Sequence, residues 1–194
     1  MNETMRGAEG EPMSANSSTL ALPSTDDDIE PILKMLDIFN EGEQRFNANA
    51  ALLKYGKRFA HVDRYPARLR KGPSGQCFKN CTSALMQFVG ADNPPFLYAE
   101  GYALDAEFGL AYEHAWLVNT AGRAIDLTWQ ETDGAVYYGI TFKLDALLAA
   151  MRFTEVYGLL FNPRLQARLF SEPAAFAKML SRPGLPGLPS RAIT

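Results

Sequence analysis

Between residues 112 and 129 the chain reads YEHAWLVNTAGRAIDLTW, and the alternation within it leaves few folds open. Aromatic and β-branched residues flank a polar, glycine-containing loop, the pattern of a β-hairpin. A three-residue loop at 120–122, with Gly122 in the left-handed position, sets Asn119 opposite Arg123, Trp116 opposite Asp126 and His114 opposite Thr128. One face then carries His114, Trp116, Val118, Ala124, Asp126 and Thr128. The other carries Ala115, Leu117, Ile125, Leu127 and Trp129 and is wholly apolar, so it must lie on a core. On the first face His114 and Asp126 are diagonal neighbours, within reach of a carboxylate–imidazole contact. A four-residue loop would place them on opposite faces.

The hairpin has company. FLYAEGYAL (96–104) and VYYGITF (136–142) read as further strands, and residues 155–161 as another. Helical periodicity starts at the possible N-cap Asp28, with Ile32, Leu33, Met35, Leu36 and Phe39, and recurs at Phe46, Ala50 and Leu53. It returns at 76–88, 144–152 and 165–180, the last broken near Pro173. The expected fold is α+β, a central antiparallel sheet packed against the helix that begins near Cys77. One domain over 26–180 accounts for it, with a Ser-, Glu- and Gly-rich leader at 1–25 and a Pro/Gly-rich tail at 181–194.

Charge is uneven although the net is only −3. The leader is acidic, whereas 54–71 carries Lys54, Lys57, Arg58, Arg64, Arg68, Arg70 and Lys71 against Asp63. That basic segment suits an acidic partner; the plainer reading is a solvated helix face. A net charge this small argues against nucleic acid as a general partner. No apolar run is long enough to span a bilayer and no signal-peptide pattern opens the chain, so a cytoplasmic location is expected.

In that compartment the two cysteines, Cys77 and Cys81 in GQCFKNC, are poor disulfide candidates. With only His61 and His114 to join them they make a poor zinc site, and no metal or cofactor is expected. Helical spacing sorts them. The stripe Phe78, Cys81, Leu85 and Phe88 makes Cys81 a small core residue, while Cys77 sits off its centre at the first turn. There the unpaired backbone N–H groups and the helix dipole favour a thiolate. A thiol at a helix N-terminus, an imidazole and a carboxylate are nucleophile, base and orienter for acyl transfer, here Cys77, His114 and Asp126. Gln76 and Asn80 are oxyanion candidates, and Tyr98, Glu100, Tyr102 and Trp116 candidates for the cleft wall. The plainer alternatives are a hydrogen-bonded structural histidine, a turn-capping aspartate, buried tyrosines and tryptophans that only pack. His61, beside Asp63, reads as surface or turn.

GQCFKN, EGYA, EHAWLVN and AIDLTW together resemble the transglutaminase-like, papain-like Cys-His-Asp superfamily, over roughly residues 73–142. The resemblance implies a thiol-dependent hydrolase or acyltransferase acting on a peptide, isopeptide or glutamine amide, with a protein or small amide as substrate. Arylamine N-acetyltransferases are more distantly similar, through Cys77 followed by Asn80; the Arg-Gly-Gly they carry before the cysteine is absent here. Small chains of this kind also occur among bacterial, phage and secreted effector proteins. The alternative is a non-catalytic binding or inhibitory protein that uses the same cleft or the basic segment.

Overall fold

The hairpin is present in the expected register. In the computed structural model, which describes residues 26–181 apart from 44 and 106, β3 (Ala111–Asn119) pairs antiparallel with β4 (Ala124–Ile125), Leu117 opposite Ile125 and Val118 opposite Ala124. Gly122, at φ 77°, closes the loop: Gly122 N donates to Asn119 O at 2.9 Å and Asn119 N to Arg123 O at 3.0 Å. Pairing then stops earlier than the alternation suggests. Asp126 Oδ1 accepts from Thr128 N at 2.7 Å and Trp129 N at 3.0 Å, a turn that ends the strand. Trp129, expected beside Leu127 on the apolar face, consequently lies on the His114 side.

Five strands form one antiparallel sheet in the order β1-β5-β2-β3-β4, with β1 (Lys57–Phe59), β2 (Phe96–Leu104) and β5 (Val136–Phe142). The sheet curls until its edges meet. Val62 N donates to Ala124 O at 2.9 Å and Ala124 N to Ala60 O at 2.8 Å, so the chain just past β1 joins β4. Curling separates two cores. Phe59, Ala99, Ala103, Trp116, Val118, Ala124 and Tyr137 fill the concave side, where Phe59 and Trp116 rings from non-adjacent strands come within 5.7 Å. Alanines on the inner face of β2 leave the room those rings occupy. On the convex side Tyr98, Ala115, Leu117, Ile125, Ile140 and Phe142 are covered by helices. Burying each large side chain contributes roughly 1.5–3 kcal/mol.

The helices are α1 (Glu30–Asn40), α2 (Ala48–Tyr55), α3 (Cys77–Leu85), α4 (Leu144–Thr154), α5 (Gln166–Leu169) and α6 (Pro173–Met179). Ile32 and Leu36, four apart, form the buried stripe of α1, and Asn47 Oδ1 caps α2 by accepting from Ala50 N at 2.8 Å. Pro173 opens α6, where its missing N–H costs nothing.

Three expectations fail here. Asp28 does not cap α1; it pairs with Arg58, whose Nε lies 2.8 and 2.9 Å from its two carboxylate oxygens. The basic segment is not a helix face, because Lys57–Phe59 is a strand and 60–76 a strap of turns. Residues 155–161 are a loop and not a strand: the amides of Leu159, Leu160 and Phe161 donate to the Glu100 carboxylate, which leaves no ladder to join. The leader at 1–25 and the tail beyond 181 lie outside the described residues. Among the described residues no helix is long and apolar enough to cross a membrane.

Candidate active site

α3 starts where Gly75, at φ 72°, turns the strap into Gln76, and its first internal bond runs from Asn80 N to Gln76 O at 2.8 Å. The amides of Cys77, Phe78 and Lys79 precede that bond and have no partner within the helix. The buried stripe keeps the expected Cys81 and Leu85 but takes in Cys77 and Thr82 where Phe78 and Phe88 were expected. Cys77, Cys81, Thr82 and Leu85 are buried, while Phe78 and Phe88 are only half-buried. Small side chains line this face because β3 runs close beneath it: Cys81 Sγ donates to Ala115 O at 3.4 Å. Cys77 is therefore on the stripe, 7% exposed, and not off its centre. Burial pushes the Cys81 thiol well above its ordinary pKa.

Cys77 stands near enough to the His114 ring for the thiol to act on that ring's titration. His114 Nε2 meets Asp126 Oδ2 at 2.8 Å, which leaves Nδ1 as the nitrogen free to face sulfur. All four acceptor directions of Asp126 are used. Tyr137 OH donates to Oδ2 at 2.9 Å beside His114, and Oδ1 takes the two backbone amides of the turn. Burial alone would raise this carboxyl. The His114 bond and charge, with the Trp129 and Thr128 amides, outweigh it and hold the group below its ordinary 3.8. For His114 burial works downward, but the hydrogen bonds and charges of Asp126 and Cys77 prevail and raise it from 6.5 to about 9. The arrangement keeps Asp126 ionised as an orienter and makes His114 a strong acceptor for a thiol proton.

Three further groups brace the site. Trp129 lies against the imidazole with ring centroids 4.7 Å apart. Asn80 Nδ2 donates to Pro73 O and to Thr128 Oγ1, both at 2.9 Å, tying α3 to the Asp126 turn. Gly72 makes that tie possible, since a Cβ there would fall 2.2 Å from Asn80 Oδ1. Lys71 Nζ donates to the carbonyls of Trp129 at 2.6 Å and Gln130 at 2.8 Å.

Of the expected site residues, Cys77, His114 and Asp126 converge, and Gln76 stands exposed beside the thiol with no side-chain capping bond. Asn80 is a brace and not an oxyanion donor, since its amide is consumed by Pro73 and Thr128. Glu100 and Tyr98 do not line the cleft. His114 pairs with Gly101, so strand parity sends residues 98 and 100 to the opposite face, where they are 1% and 0% exposed. Tyr102 follows them and packs on Phe161. Trp116 shares the His114 face but is fully buried in the concave core, so it backs the site without walling an opening. His61 is half-buried, bridged to Ala124 and stacked over Tyr137 at 6.1 Å, not a surface residue.

Sequence reasoning missed Tyr137 and the roles of Trp129, Thr128 and Lys71. Tyr137 was visible as a strand residue, but its contact with Asp126 depends on sheet closure, which no local pattern announces. Among the described residues no three His, Cys, Asp or Glu side chains gather as metal ligands. Compared with known protein families, curated proteins and solved structures, the chain finds no match.

Proposed function

We propose that this protein is a thiol-dependent hydrolase or acyltransferase of the transglutaminase-like superfamily, acting on an amide-type bond. The observation that carries the reading is a His114 held at 2.8 Å by a fully hydrogen-bonded Asp126, with Cys77 at the start of α3 close enough to act on its titration. In this mechanism His114 Nδ1 takes the Cys77 proton as sulfur attacks the acyl carbon. The amides at the start of α3 and the Gln76 side chain stabilise the oxyanion. His114 then returns the proton to the departing nitrogen, leaving a thioester. Water or an amine, deprotonated by His114, attacks the thioester, and the thiol is restored.

A second reading is favoured by a different observation: Cys77 and His114 are only 7% and 3% exposed, as in a protein that keeps the arrangement for binding alone. A peptide vinyl sulfone separates the two. The enzyme reading expects one adduct per chain, mapped to Cys77 and lost in Cys77→Ala. A folded protein that forms no adduct with the vinyl sulfone sinks that reading and leaves the binding protein.

A further inference from the structure

Beside α3 runs an open groove of about 340 Å³, bounded on one side by Asn80 and Ser83 of the helix and Gln87 of the 3-10 turn that follows it (Met86–Phe88), and on the other by Arg68, Arg70 and Gly72 of the strap. Both arginines are exposed. Neither has an ion-pair partner among the described residues; the salt bridges there involve Lys34, Arg58, His114 and Arg123. No Asp or Glu occurs anywhere from residue 64 to residue 91, which carry Arg64, Arg68, Arg70, Lys71 and Lys79 in a chain whose net charge is −3. Lys71 is spent on the carbonyls of Trp129 and Gln130, so Arg68 and Arg70 are the cations presented to the groove.

Its position ties the groove to the thiol. At 1.5 Å rise per residue, Asn80 stands about 5 Å and Gln87 about 15 Å along the axis from Cys77. An extended peptide covers about 3.3 Å per residue, so the groove spans about two to four residues from a carbonyl held at Cys77. We propose that this groove is a substrate subsite for an acidic peptide segment, with Arg68 and Arg70 receiving Asp or Glu carboxylates a few residues from the bond that reacts. Guanidinium forks match carboxylates, and the Ser83 hydroxyl and Gln87 carbonyl offer partners for a peptide backbone. A polynucleotide fits less well: no aromatic ring lines the groove for base stacking, and the chain as a whole is acidic.

This subsite rests on the acyl-transfer reading for its purpose, but its test does not need turnover. Fluorescein-labelled peptides rich in Asp and Glu, their Asn and Gln counterparts, and a single-stranded oligonucleotide are titrated against the full-length Cys77→Ala variant by anisotropy. The acidic peptide is expected to bind about tenfold more tightly than its amide counterpart, as two exposed charge pairs allow, and to lose most of that margin at high salt. Arg68→Ser/Arg70→Ser should erase the margin without shifting the melting temperature, and Arg70→Glu should favour a Lys-rich peptide. Equal binding of the two peptides, a margin that survives both variants, or tighter binding of the oligonucleotide overturns the proposal. Acidic-peptide binding by a protein that no vinyl sulfone labels would sink the enzyme reading alone. Turnover that is indifferent to substrate charge would sink the subsite alone.

Discussion

Tyr137→Phe isolates one hydrogen bond at the centre of the site. The Tyr137 ring packs within 5.3 Å of Trp116 and 6.3 Å of both His114 and Trp129, and phenylalanine keeps all of that. What is lost is the hydroxyl's 2.9 Å bond to Asp126 Oδ2, made where both residues are 0% exposed. Bonds to a charged acceptor contribute roughly 1.5–3 kcal/mol, and removing a buried hydroxyl recovers part of its desolvation cost, so about 1.5–2 kcal/mol is expected. For a domain of this size that lowers the melting temperature by about 3–8 °C. Asp126 keeps His114 and two backbone donors and stays ionised at neutral pH, so alkylation of Cys77 should be nearly unchanged. Circular-dichroism melts, with Cys77 alkylation followed by mass spectrometry, read both quantities. A variant as stable as the parent would refute the claim that the hydroxyl holds the carboxylate, and one that melts alike but loses Cys77 reactivity would place Tyr137 in the chemistry itself.

Asp126→Asn and Ile125→Ala should each destabilise by about 2–4 kcal/mol, the first by facing His114 and Tyr137 donors with an NH₂ group, the second by opening a cavity on the convex core. Only Asp126→Asn should also suppress Cys77 alkylation; if Ile125→Ala suppresses it equally, the effect is unfolding and not orientation. Because folding raises His114 from 6.5 to about 9, the site's contribution of about 3 kcal/mol is whole below pH 6.5 and is lost as pH rises through 9. Urea titrations across that range should show the slope in the parent and not in His114→Gln. Glu100 runs in the same direction at lower pH: burial raises it from 4.5 to about 7 against the amides it accepts, so the fold weakens as pH climbs from 4.5 to 7. Glu100→Gln should flatten that window, and a slope left intact would assign it to another group.

The His114–Asp126 pairing was legible because it is a matter of parity. Gly122 fixes the loop, the loop fixes the register, and His114 and Asp126 then share a face whatever the rest of the chain does. Tyr137, by contrast, meets Asp126 only after the sheet has closed through Ala60, Val62 and Ala124, a non-local event with no local signature. The face of α3 was misread because Phe78 and Phe88 dominate any hydrophobic count. A helix lying close on β3 buries its small residues there instead, and Cys77 goes in with Cys81. Residues 155–161 have strand-forming side chains, but a buried Glu100 that needs donors outcompetes a sheet edge for their amides.

Competitive alkylation with iodoacetamide at neutral pH tests the central claim most directly. Cys77 and Cys81 are four residues apart on one helix, but Cys81 is wholly buried and burial pushes its thiol up, so the dependence of the Cys77 rate on His114 is the decisive reading. If His114 takes the Cys77 proton, Cys77 is modified while Cys81, bonded to Ala115 O, is spared, and His114→Gln slows Cys77 by at least about tenfold. Equal modification of both thiols in folded protein, or a Cys77 rate indifferent to His114→Gln, would mean that no nucleophile–base pair exists.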